Sequence, residues 1–302
     1  MKTIGEMLKK VRAIEIRTNR QVTETLAGQY RSVFRGSGID FDEVREYVPG
    51  DDIRAIDWKV TARHGKPFIK KYREDRELTV IIALDVSASG NFGSGAESKR
   101  ERAAELAGVL AYSAVKNRDN VGLLLFTDRA ELYLPPAKGR GHVMRVIREI
   151  LFFEPRRRGT DIRGALENIR RTQKRRAVVF LISDFCLPGD HAAALADLKT
   201  ALNSVNRRHD LVAVSVTDPR ERELPAVGRL TLEDAETGET VEINTGSAKT
   251  RQNYADLAAR RRAELRKMFN VNAVDLLDLD TERPYLPALR QFFHTRERRV
   301  RR

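Results

Sequence analysis

From residue 77 onward, short apolar runs rich in β-branched residues alternate with amphipathic stretches of helical length. Residues 77–85 (ELTVIIALD) and 176–185 (RAVVFLISDF) are apolar enough to be strands covered on both faces, as in a parallel sheet. Residues 120–127, 210–218 and 271–280 read as further strands, and 130–136 follows 120–127 after the short link Asp128-Arg129, which suits a hairpin. Between them, residues 98–117 place Ala103, Leu106, Ala107, Leu110 and Ala114 on one helical face. Residues 139–153, 160–173, 191–206, 247–269 and 284–299 are also helical in period, the last started by Pro284. Two β-prone runs around a Thr-Gly turn predict an exposed hairpin, inserted near 227–245. The alternation predicts an α/β fold: a doubly wound, mostly parallel sheet with helices on both faces.

The first 76 residues differ in kind. A helix is expected up to about Arg17, followed by a β-rich segment dense in charges and glycines, with no repeat or low-complexity linker before residue 77. The expected division is therefore 1–76 as a lead-in packed on an α/β domain at 77–302. In YVPGDDIRAIDWK, Pro49 and Gly50 set a turn, and Asp51, Asp52, Arg54 and Asp57 alternate with Ile53, Ile56 and Trp58. That pattern predicts a salt-bridged β segment with Trp58 packed on the core. A docking surface for a partner is the functional alternative.

Composition removes several classes of function. Across 302 residues no run approaches a membrane helix, and the first twenty lack the apolar centre and cleavage site of a signal peptide, so a cytoplasmic setting is expected. Cys186 is the only cysteine, which excludes an internal disulfide and cysteine-based zinc sites. The five histidines show no metal-ligand spacing. The net charge of +13 is largely arginine dispersed among acids, concentrated at Arg156, Arg157 and Arg158 and in the tail from Arg296. Without a nucleic-acid motif, it reads as a solvated surface with a basic tail able to meet something acidic.

The candidate chemistry lies where strands end, because loops diverge and ligands collect at the carboxyl edge of such sheets. Asp85, Ser87 and Ser89 occupy alternate positions as the chain leaves the strand at 77–85. Thr160 precedes a helix, and Asp184 ends the strand at 176–185. Together they offer the oxygens that a hard cation such as Mg²⁺ or Mn²⁺ requires. Each also has a plain role: Ser89 in a turn, Thr160 as a helix N-cap, Asp184 as a cap or ion-pair partner. Enzyme signatures are incomplete. A haloacid-dehalogenase phosphatase would need a second aspartate where Ser87 stands, Gly90, Gly93 and Gly95 do not make a nucleotide loop, and no G-x-S-x-G surrounds Ser87.

The set Asp85, Ser87, Ser89, Thr160 and Asp184 resembles the metal-ion-dependent adhesion site of von Willebrand factor A-like domains. The stretch VFRGSGIDFDEVREYVPGDDIRAIDWKVTARHGKPFIKKYREDREL resembles the lead-in of the bacterial domain-of-unknown-function-58 family. The resemblance implies that these five residues hold Mg²⁺ or Mn²⁺, leaving one position for an acidic side chain from a protein partner. It further implies an adaptor working with a MoxR-type AAA+ ATPase in chaperone-like assembly or maturation. The alternative is a metal-dependent hydrolase or nucleic-acid-acting protein using the same cation.

Overall fold

The computed structural model describes residues 12–14, 24–34, 40–73, 77–187 and 189–300. The helix expected to end near Arg17 lies outside them apart from residues 12–14, as do the last two residues of the basic tail. The chain forms two compact units, one built from Met1–Val33 with Thr79–Arg302 and the other from Phe34–Leu78. The amino-terminal region is thus divided: α1 (Glu24–Val33) belongs with the α/β unit.

The α/β unit is organised on a six-stranded sheet. Its strands are β3 (Thr79–Asp85), β4 (Asn120–Phe126), β5 (Ala130–Ala137), β6 (Val178–Ser183), β7 (Asp210–Thr217) and β10 (Asp275–Asp280), in the spatial order β10-β7-β6-β3-β4-β5. All neighbours are parallel except β4 and β5, which the short Asp128-Arg129 link joins as an antiparallel pair. Strand β6 is buried along its whole length and β3 from Val80 onward, as their unbroken apolar runs require. Gly122 on β4 is tightly enclosed: a Cβ there would come within 2.8 Å of Ile81 Cδ1 and 3.2 Å of the Leu134 carbonyl oxygen, so its neighbours would have to shift.

The helices are α3 (Lys99–Lys116), α4 (Arg140–Phe152), α5 (Ile162–Thr172), α6 (His191–Asn206), α7 (Ala248–Val271) and α8 (Tyr285–Val300). One sheet face, with Ile81, Ala83, Leu124, Phe126, Val179 and Leu181, packs on Ile162, Leu166 and Ile169 of α5, Leu198 and Leu202 of α6, and Phe269 of α7. Helices α3 and α4 lie together and contact β4. Ser98 caps α3 in a capping box with Glu101, which fixes where this helix begins. Helix α1 packs against α8, with Tyr30 edge-on to Phe293 at 6.4 Å between ring centroids. Strands β8 (Arg229–Glu233) and β9 (Thr240–Asn244) form the separate, largely exposed hairpin.

In the smaller unit, β1 (Asp40–Glu46) pairs antiparallel with β2 (Phe68–Arg73). Between them the chain is helical, where sequence alone suggested a β segment. Asp52 caps a short 3-10 turn at Ile53–Ala55, and Asp57 accepts from the N–H groups of Lys59 and Val60 to start α2 (Trp58–His64). Asp51 does pair, but with Arg45 from β1 and not with a residue of the stretch 47–59, in a two-pronged contact at 2.8 and 2.7 Å. The expectation for Trp58 is corrected. As the first residue of a seven-residue helix it is 70% exposed and no core residue, because the Asp57 cap commits the chain to a helix that turns the indole outward.

Candidate functional site

Strand β3 delivers Asp85 to the carboxyl edge of the sheet, where it is buried between its two parallel neighbours. One carboxylate oxygen accepts the Ser87 backbone N–H at 2.9 Å, and the other accepts the Ser183 hydroxyl at 2.8 Å. Among the described residues no lysine or arginine forms an ion pair with it. Burial, then the charge of Asp184, pushes its carboxyl up to about 6.

The hydroxyls expected at this edge are not spent on helix caps. Ser87 stands at the cap position of the 3-10 turn Ala88–Asn91 yet makes no side-chain cap bond, and its Oγ lies 3.1 Å from Ser89 Oγ. Thr160 is not the N-cap of α5. Asp161 takes that role by accepting from Gly164 N–H, which leaves Thr160 Oγ1 facing the cluster, 3.5 Å from Asp85 Oδ2. The loops carrying these residues are tied together by a bond from Ala88 N–H to the Arg158 carbonyl at 3.0 Å.

Asp184 follows β6 at a strained turn. Phe185 adopts φ 56°, a left-handed conformation costly for a bulky residue, and it is held there by its N–H on Ser183 Oγ and by edge-on packing against Phe269. Asp184 accepts from Cys186 N–H at 2.9 Å and from Lys99 Nζ at 2.6 Å. Burial opposes its ionisation, but the Lys99 ammonium outweighs that and holds the carboxyl below the ordinary range. Lys99 is itself buried and also bonds Glu221, so the two carboxylates raise its pKa despite the burial penalty.

The structure thus brings all five predicted residues to one edge and adds four that pattern reading missed: Ser183, Lys99, Glu221 and Glu236. Glu236, from the hairpin, accepts the Thr160 hydroxyl at 2.7 Å, and burial raises its pKa. Ser183 adjoins Asp184 in the Ser-Asp pair that ends β6, so a signal for it existed. Lys99 reads as an ordinary solvated residue of a first helical turn, and Glu236 as part of an exposed turn.

Two of these groups have the spacing of neighbouring ligands of a divalent cation. Adjacent oxygens around Mg²⁺ at ~2.1 Å stand roughly 3 Å apart in an octahedral shell, close to the Ser87–Ser89 separation. Asp85, Asp184, Glu221 and Glu236 bring four carboxylates to this edge, of which Lys99 bonds two, Asp184 and Glu221. A cavity of about 20 Å³ lies beside the cluster, bordered by Asp85, Ser89 and Asp184 but also by Lys99, Arg100 and the apolar Leu84, Ala103, Ile182 and Val216, with room for one water. Among the described residues no group of three His, Cys, Asp or Glu is placed to hold a metal ion.

An uncharacterized protein of Mycobacterium tuberculosis, Rv1480, is 31% identical over 290 residues, covering 95% of this chain and 89% of that one. Among solved structures, BatB from Bacteroides thetaiotaomicron matches with a TM-score of 0.47 at 19% identity, over 73% of this chain and 99% of its own. The SpRpn10 VWA domain matches with a TM-score of 0.38 at 10% identity, over 71% of this chain and 94% of its own. No helix among the described residues is long and apolar enough to cross a membrane. The family model described as protein of unknown function DUF58 matches residues 43–264, and with that span and the mycobacterial relative the chain belongs to this family.

Proposed function

We propose that this protein is a binding module, not an enzyme, in which Ser87, Ser89 and Thr160 hold Mg²⁺ or Mn²⁺ together with Asp85 and Asp184, the aspartates directly or through water. The observation that carries this reading is the convergence of three hydroxyls, none spent on helix capping, on two buried carboxylates. The bound cation would present positive charge at the sheet edge, where an acidic side chain of a protein partner can complete its shell. By family resemblance the partner is a MoxR-type AAA+ ATPase or its client.

Thermal unfolding with and without Mg²⁺ tests the site. A ligand held only by the folded state at a hundredfold excess over Kd stabilises by about 2.7 kcal/mol, a rise of about 5 °C or more for a domain of this size. Asp85→Ala should remove that rise while retaining the fold; a rise equal to wild type would refute the assignment. Partner binding should be lost in chelator and in Ser87→Ala, yet survive moderate salt. A partner released by salt but not by chelator would show that the basic surface carries the contact.

A further inference from the structure

The contact between Thr160 and Glu236 joins the site to a part of the chain that neither strand order nor motif places there. We propose that Glu236 is an in-chain acidic ligand of this site, carried by the β8–β9 hairpin to the position a partner's carboxylate would otherwise take. The inference rests on the metal reading above.

Three observations support it. First, the turn is constructed to present Glu236: Asp234 Oδ1 accepts from the N–H groups of Glu236 and Thr237 at 2.8 and 2.9 Å, and Gly238 supplies the left-handed residue at φ 76°. Second, the hairpin buries little along its strands, with residues at most half-buried. Its base is fixed by the fully buried Thr245, whose hydroxyl bonds the Gly228 carbonyl at 2.7 Å and accepts from Val227 N–H at 3.2 Å. An arm pinned at its base and exposed along its length reaches the cluster at its tip, through Glu236. Third, Thr160 brings the carboxylate towards Asp85, beside Asp184, whose partner Lys99 is already shared with Glu221. A further anion at such a place is repelled unless a cation joins it. The hairpin therefore acts as a tethered competitor, and a partner engages the cation by displacing it.

The test measures Mn²⁺ binding to the full chain by the paramagnetic signal of the free ion, and amide exchange of the hairpin with and without Mg²⁺. Glu236→Gln keeps an acceptor for Thr160 but removes the charge; Glu233→Gln, on the same hairpin, is the control. Wild type and Glu233→Gln should bind one Mn²⁺ alike, and Glu236→Gln about tenfold or more weakly, with metal slowing exchange across 234–239 in wild type and the control but not in Glu236→Gln. Should Glu236→Gln fold poorly, Glu236→Asp, which retains the charge but shortens the reach, should also weaken Mn²⁺ binding. Equal Mn²⁺ affinity in wild type and Glu236→Gln, with exchange indifferent to metal, overturns the role of Glu236 and leaves the metal site standing. No Mn²⁺ bound by folded wild type overturns both.

Discussion

Replacing Lys99 by Met removes an ammonium while retaining most of the side-chain volume, so little cavity energy enters the result. In the folded protein the Lys99 side chain is 4% exposed and touches Asp184, which is 7% exposed, and Glu221, which is 33% exposed. Glu221 can turn to water once its partner is gone, but Asp184 cannot. Breaking one buried pair costs about 3–5 kcal/mol, and that is the destabilisation expected near neutral pH without divalent ions. The sign of its pH dependence follows from the shifts. Asp184 is held low in the fold, so its stabilisation is complete above the unfolded carboxylate value near 4 and is lost as pH falls below it. Lys99 is held high, so its contribution is complete below the unfolded lysine value near 10 and is lost as pH rises beyond. The difference between wild type and variant should therefore be widest between about pH 5 and 10 and shrink in acid. Urea denaturation across that range measures it. A loss under about 1 kcal/mol, or one unchanged at pH 3, would show that Lys99 is not the counter-charge of Asp184.

Two further outcomes follow from buried and exposed side chains. Trp58→Ala should cost less than about 1 kcal/mol, against the 3–5 of a core tryptophan, and as the single tryptophan its emission should be that of solvated indole; a blue-shifted maximum would contradict this. His209 is buried with neither ring nitrogen hydrogen-bonded among the described residues, and burial, aided by Arg208 and Arg176, lowers its pKa to about 4. Because the unfolded chain takes up that proton first, stability should be full above pH 6.5 and fall as pH drops towards 4, by about 1–2 kcal/mol once solvent screening is allowed for. His209→Leu should show that much less acid sensitivity in urea titrations at pH 7 and 4.5, and equal sensitivity would refute the assignment.

The sheet was legible because its strands are apolar over their whole length; Val80 to Leu84 and Val178 to Ile182 admit no other placement. The convergence of Asp85, Thr160 and Asp184 was legible for a related reason, since parallel strands bring their carboxyl ends to one edge. What pattern could not supply was the direction of side chains. Asp161, not Thr160, caps α5, a choice between neighbours decided by backbone geometry. Trp58 was misplaced because an apolar residue among alternating charges reads equally as strand or helix, and the Asp57 cap settles which. Lys99 and Glu236 escaped notice because their partners lie far along the chain, and nothing local marks a charge as buried.

The spatial order of the sheet also sets a timetable for the site. Strand β3 lies inside the sheet, and the strands on one side of it, β4 and β5, are synthesised before β6, β7 and β10 on the other. Asp85, Ser87 and Ser89 therefore leave the ribosome about a hundred residues before Asp184, a lag of roughly 5–20 s at ordinary rates of synthesis. Until β6 docks, the loop after β3 has neither Ser183 to hold Asp85 nor Asp184 to engage Lys99. A product truncated before Val178 thus carries the Asp-x-Ser-x-Ser loop without Ser183, Asp184, Glu221 or Glu236, and so without the cluster.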